Sequence, residues 1–240
     1  DGQAIHAPAV ISNAGVFNTF GPLLPDNAPH KAFYQNKLGQ VQRSMASVCL
    51  YIGLQDTAEN LALPKTNFWI YPGADYRGQI ENFLAAPDSH DIPLTYISFP
   101  SAKDPSFAER YPGRATIEIV APGPFEWYQD WADKPWGKRG EDYEAKKDAY
   151  AQRLLEKLYE KMPHLRGKVD YYELSTPLST DYFCRYSTGE IYGLDHTPER
   201  FEQDWLKPKT RLPGLYLTGQ DIMTCGVVGA MIGGLLTTVA

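Results

Sequence analysis

Residues 215–240 read LYLTGQDIMTCGVVGAMIGGLLTTVA, and this stretch decides the fold class. Leu215-Tyr216-Leu217 is a short apolar run suited to a buried strand, Gly219-Gln220-Asp221 is a tight turn with one acid, and Gly226 to Ala240 is a helix of small residues entered through a glycine. A helix that starts just after a strand turns its unpaired N–H groups, and a partial positive charge, toward whatever lies beyond the strand end. That geometry favours phosphate or an oxygen gaining negative charge. Gly226 and Gly229 are expected to clear space for a ligand, Gly233 and Gly234 to let the helix approach a sheet, and Asp221 to accept hydrogen bonds from sugar-like hydroxyls. Two plainer readings compete. Residues 222–240 carry no charge, as in a membrane span, although four glycines and three threonines dilute their apolar character. They also suit a core helix whose glycines serve packing alone.

Working outward, Ala9 to Gly15 (AVISNAG) is an apolar run closed by Ser, Asn and Gly, which predicts a buried strand ending in a turn. Residues 20–31 (FGPLLPDNAPHK) contain three prolines and predict an irregular crossing between two structural regions. Ser47 to Leu54, Asn67 to Tyr71, Leu94 to Phe99 and Ala115 to Val120 are rich in β-branched and aromatic residues and predict a mixed sheet of about four strands. From about Asp142 to Met162, Tyr143, Tyr150, Leu154, Leu158 and Met162 recur at helical spacing opposite charges, and Pro163 ends the run. No repeat or low-complexity tract interrupts this order.

Composition sets the outer bounds. The chain has 240 residues, 43% hydrophobic and 22% charged, a globular profile of a size that buries a core without staples. A net charge of −6 argues against nucleic acid as a partner, since phosphate binders need a broad basic footprint. Cys49, Cys184 and Cys225 are too scattered for a disulfide framework or a paired-cysteine metal motif, and a reducing compartment is expected. His6, His30, His90, His164 and His196 show no metal-ligand spacing, so no metal site is expected. Neither a G-x-G-x-x-G nor a P-loop occurs. The chain opens on Asp1 and closes on Ala240 inside an apolar stretch, so it is expected to be a piece of a longer protein.

The 215–240 stretch resembles the carboxyl-terminal FAD-contacting motif of the phytoene desaturase, carotenoid isomerase and retinol saturase family of flavoproteins. Five further blocks are similar to the retinol saturase branch and span nearly the whole chain. They are Val10-Ile11-Ser12-Asn13-Ala14-Gly15 with Phe17-Asn18-Thr19, Phe99-Pro100-Ser101-Ala102-Lys103-Asp104-Pro105, Tyr111-Pro112-Gly113-Arg114, Gly137-Lys138-Arg139-Gly140 and Tyr192-Gly193-Leu194-Asp195-His196. The resemblance implies an α/β fold in which an α+β substrate domain is inserted into a Rossmann-type FAD domain. Residues 1–19 and 178–240 would be returns of the FAD domain, and 20–177 the substrate domain. The amino-terminal βαβ unit that carries the dinucleotide fingerprint would lie in the missing half of the same protein, so FAD is expected to bind this stretch alone weakly or not at all.

By the same resemblance, Asn13, Ala14, Tyr192 and Gly193 would touch the cofactor, Gly219, Gln220 and Asp221 would lie along its ribityl and pyrophosphate region, and Gly226, Val227 and Val228 would offer amides to the flavin edge where charge collects on reduction. The implied activity is oxidation or reduction of carbon–carbon double bonds in a carotenoid- or retinoid-like polyene, with NAD(P)H a candidate electron partner. His196 is the candidate proton donor at carbon. A polyene needs an aromatic-lined site, for which Phe68, Trp69, Tyr71, Tyr96, Phe99, Phe125, Trp127, Trp131, Tyr182 and Phe183 are the material, most of them expected to be core. The stretch Phe125 to Lys147 mixes tryptophans with lysines, and peripheral contact with a membrane surface, or a cytoplasmic location, is expected. Two alternatives remain at this point: a flavin enzyme acting on an amine, and a module that binds an apolar ligand without redox chemistry.

Overall fold

The computed structural model describes residues 2–240; Asp1, the first residue of the expected 1–19 return, lies outside them. In chain order the elements begin with β1 (Val10–Ser12), α1 (Val16–Phe20) and α2 (Lys31–Leu38). They continue with β2 (Ser47–Gln55), β3 (Phe68–Ile70), α3 (Tyr76–Ala85), β4 (Thr95–Ser98), α4 (Pro100–Lys103), α5 (Phe107–Arg110), β5 (Arg114–Pro122), α6 (Glu141–Lys161), β6 (Val169–Ser175) and α7 (Pro177–Cys184). The last are α8 (Pro198–Phe201), β7 (Leu215–Leu217) and α9 (Gly226–Thr238). Two compact units emerge, one made of Asp1–Met45 with Glu190–Ala240 and the other of Ala46–Gly189. These crossing points, 45/46 and 189/190, lie carboxyl-terminal to the 19/20 and 177/178 boundaries implied by the resemblance.

The continuous unit is built on a five-stranded sheet in the order β3-β4-β5-β2-β6. Along β2, Val48, Leu50, Ile52 and Leu54 point to one side and are buried, while Cys49, Tyr51, Gly53 and Gln55 point to the other; period-two alternation fixes which face is core. β5 answers with Ala115, Ile117, Ile119 and Ala121, paired to β2 in full register from Ser47↔Pro122 to Gln55↔Arg114. α6 covers the inner face with Tyr150, Leu154 and Leu158 in the same core cluster, and Tyr150 fixes its turn by donating its hydroxyl to the Pro122 carbonyl at 2.7 Å. Each such buried Leu contributes about 1.5–3 kcal/mol by leaving water.

The sheet corrects the expectation of about four strands in a mixed arrangement. Every pairing in it is antiparallel, and β6 is a fifth strand. β6 escapes pattern reading because it is an edge: its sequence VDYYELS holds two acids and buries only Leu174. Strand direction is not encoded in side-chain alternation at all.

The discontinuous unit joins β1 and β7 as a parallel pair, with Val10↔Leu215, Ile11↔Tyr216 and Ser12↔Leu217 opposite one another. Its core holds Val16, Phe20, Tyr34, Val41, Leu194, Trp205 and Leu217, with the Phe20 and Tyr34 rings stacked at 3.7 Å between centroids. The proline-rich 20–31 segment does not carry the chain from one unit to the other, which is a second correction. Lys31 Nζ donates to the carbonyls of Gly21 and Leu24, both at 2.5 Å, and folds the segment back onto its own unit.

Candidate functional site

β1 and β7 run in the same direction, so their carboxyl ends open on the same side. Adjacent parallel strands place ligands at that end, because the turns leaving the strands diverge there and expose backbone amides. β1 leaves through Asn13-Ala14-Gly15 into α1, and β7 through Thr218-Gly219 into a short 3-10 turn (Gln220–Ile222) and then α9. Gly219 sits at φ +89°, and a Cβ there would come within 1.9 Å of Asn13 Oδ1, so the two turns touch at a position only glycine can occupy.

Asp221 ties the ends together. Only 5% of its surface is accessible; Oδ2 accepts from the Val16 amide at 2.8 Å and Oδ1 from the Leu194 amide at 3.0 Å. This corrects the expectation that the carboxylate faces sugar hydroxyls: both oxygens already serve backbone amides inside the unit. Gly193, at φ +64°, has no side chain because a Cβ would fall 2.0 Å from Asp221 Oδ1. The 192–195 segment is held in turn by residues 42–44, with Ser44 N–H donating to the Gly193 carbonyl at 2.8 Å and Asp195 N–H to the Gln42 carbonyl at 2.9 Å.

Arg200 has no place in the sequence reading, yet it organises the turn before α9. It is 3% accessible, and its Nη2 donates to the carbonyls of Gln220 (2.7 Å) and Met223 (3.1 Å) while Nη1 donates to that of Leu194 (2.8 Å). The carbonyls of Leu194, Gln220 and Met223 are thereby all engaged by one side chain. Burial lowers the basicity of the guanidinium, with the Asp221 carboxylate opposing that effect. A lone arginine after Thr197-Pro198-Glu199 reads as surface, so no pattern could have found it.

His196 stands at the entry to α9. Its Nε2 accepts from the Cys225 amide at 2.9 Å. Burial, and then the charge of Arg200 with Nη1 3.1 Å from Nδ1, hold the imidazole below its ordinary value, so the ring is neutral and satisfies one of the unpaired amides of the helix start.

α9 packs by its smallest residues. A Cβ on Gly233 would meet the Gly219 carbonyl oxygen at 2.4 Å, and one on Gly229 would meet the Thr224 carbonyl oxygen at 2.1 Å. Gly229 therefore serves packing, not ligand clearance. Gly226 differs: at φ +85° it has nothing within 4 Å of a Cβ position, and Val227 and Val228 beside it are exposed. Tyr192 and Asn13 are exposed as well, with Ala14 half-buried at the turn, so Asn13, Ala14, Tyr192, Gly193, His196, Gly219, Gln220, Asp221, Gly226, Val227 and Val228 all belong to one unit and surround one pair of strand ends.

All-trans-retinol 13,14-reductases from Macaca fascicularis and Homo sapiens are each 38% identical to the chain over 242 aligned residues, covering 98% of it. The chain belongs to their family. A phytoene desaturase (lycopene-forming) from Pseudescherichia vulneris is 28% identical over 91% of the chain. No family model matches. The chain spans about 40% of the length of the reductases it matches.

The aromatic residues divide by position. Phe99 is fully buried, and Phe68, Phe125, Trp127 and Trp131 pack against the core, whereas Trp69, Tyr71, Tyr182 and Phe183 are exposed. Trp127, Tyr128 and Trp131, named for a membrane surface, turn inward, and Trp131 donates its indole N–H to Asp142 at 2.8 Å. Of the tryptophans in that stretch, Trp136 is the exposed one. Among the described residues no helix is long and apolar enough to cross a membrane.

Proposed function

We propose that the protein containing this chain is an FAD-dependent oxidoreductase acting on a carbon–carbon double bond of a lipophilic polyene, and that saturation is its favoured direction. The observation that carries the reading is the meeting of the turns that leave the parallel β1–β7 pair, at Gly219 and Asp221, with the unobstructed start of α9 following them. The higher identity to retinol reductases than to the phytoene desaturase supports saturation over desaturation.

The residues present suit the ribityl and flavin end of the cofactor. Gly226 leaves the helix start open, Gly219 and Gln220 precede it, and the amides of Gly226, Val227 and Val228 would be offered to a negatively charged ring edge. Bound FAD supplies the hydride or electron transfer that protein side chains lack. This chain's own part is orientation. Asp221 and Arg200 fix the turns, and neutral His196 holds the helix entry through Cys225; delivery of a proton to carbon would need the protonated ring, a form that burial and Arg200 disfavour. The open face of the sheet in the other unit presents Tyr51, Trp69, Tyr96 and Tyr171, rings that suit stacking on a conjugated chain.

The test uses the full-length protein. Purified protein should show the absorption of bound flavin, and anaerobic titration with reductant followed by a retinoid should return the oxidised spectrum with loss of one double bond from the retinoid. An apoprotein without affinity for FAD would overturn the reading, as would reoxidation by neither polyene class.

A further inference from the structure

Among the described residues, one buried cation of the continuous unit forms no salt bridge. Arg139, on the loop before α6, is 6% accessible, and its one hydrogen bond runs from Nη2 to the Leu178 carbonyl at a long 3.3 Å. Its Nε is buried without a partner. Glu144 and Glu173, which line the same recess, both grip Lys147, at 3.0 and 2.5 Å. A buried guanidinium with a free donor edge is costly unless something satisfies it.

What surrounds Arg139 is a built recess. A cavity of about 680 Å³ opens beside it, within the range that holds small organic ligands. The Trp136 and Tyr143 rings each lie 5.3 Å from the guanidinium carbon, and Phe183 packs edge-on to Trp136 at 4.8 Å, with Trp136 and Phe183 exposed. Thr180 and Cys184 of α7 complete the lining used here. The recess sets Arg139 among aromatic rings on one side, with Lys147 held between Glu144 and Glu173 on its wall.

We infer that this recess binds a lipophilic carboxylic acid, its carboxylate on the Arg139 guanidinium and its apolar body against Trp136, Tyr143 and Phe183. A planar carboxylate matches the guanidinium fork and leaves its donors satisfied. Glu144 and Glu173 line the same cavity and repel a doubly charged phosphate more than a singly charged carboxylate. The site lies within the continuous unit, with Tyr51 and Tyr171 also on its wall, and needs no flavin.

Binding is read without turnover, by titrating full-length protein with parinaric acid, a fluorescent polyene fatty acid, and with the corresponding alcohol. The acid should bind at least about ten-fold more tightly than the alcohol, and Arg139→Gln should remove that advantage while leaving alcohol binding unchanged. In the unmutated protein, saturating acid should slow alkylation of exposed Cys184 several-fold, a readout that stands even where Arg139→Gln fails to fold. Equal affinity for acid and alcohol, unprotected Cys184, or a folded Arg139→Gln variant with full acid affinity would each overturn the inference. So would displacement of the acid by millimolar inorganic phosphate, which would mark a phosphate or lipid-headgroup site instead.

Discussion

The carbonyl oxygen of Gly219 occupies the space beside Gly233 so closely that a Cβ there would lie 2.4 Å from it. The contact is backbone against backbone, so neither side can yield by a rotamer change. Gly233→Ala is therefore expected to lift α9 from the turn after β7 and to destabilise the protein by about 1–3 kcal/mol. Gly234 is the control, because a Cβ there meets only Thr218 Oγ1, at 3.9 Å. Urea denaturation should show a loss for Gly233→Ala and none, or a small gain, for Gly234→Ala; equal effects would contradict the packing described.

His196 makes stability depend on pH. Its folded-state value lies below the ordinary 6.5, first through burial and then through Arg200, so the unfolded chain binds the proton more readily. The contribution is complete above 6.5 and is lost as pH falls through the folded-state value. His196→Gln should flatten the stability profile on the acid side of 6.5, followed by denaturation at a series of pH values. An unchanged slope would place the titrating group elsewhere.

Cys49 lies on the open face of β2 beside Tyr51, and burial pushes its thiol up to about 11. At pH 8 it should therefore react with iodoacetamide at least ten-fold more slowly than exposed Cys184, since only the thiolate attacks. Mass spectrometry of timed samples checks the order. Tyr51 is pushed up to about 12, first by burial and then by Cys49, and should remain a phenol throughout that experiment.

Leu154 is fully buried where α6 meets the sheet. Leu154→Ala should cost about 2–5 kcal/mol by lost burial and the cavity left behind. Ala149→Ser, on the opposite side of the helix, should stay within about 0.5 kcal/mol. Thermal or urea unfolding distinguishes them, and a loss below about 1 kcal/mol at Leu154 would show that the core closes around the gap.

What was legible in the sequence was whatever periodicity encodes. Alternation along β2 and β5 and the helical spacing of Tyr150, Leu154 and Leu158 announce elements whose one face is buried. β6 was silent because an edge strand with Asp170 and Glu173 needs little apolar surface. α3 was silent for a related reason: it buries only Phe83 and is started by Asp75, which accepts from the Gly78 amide at 3.1 Å. At the strand ends, glycines and the acid stand out as residue types. The partners that explain them do not: Arg200 and His196 meet Cys225 and the 220–223 carbonyls only once the chain has folded, and Arg139 is indistinguishable in sequence from a solvated arginine.

The bond from the Val16 amide to Asp221 joins residues 205 positions apart, and the β1–β7 pairing spans a similar distance. On a ribosome adding 5–20 residues per second, β1 thus waits about 10 to 40 seconds for the strand it must lie beside. Throughout that interval Val10 and Ile11 lack their β7 partners, while the intervening segment has time to complete its own antiparallel sheet. A helper that shelters β1 during synthesis should accordingly raise the yield more than one acting after release.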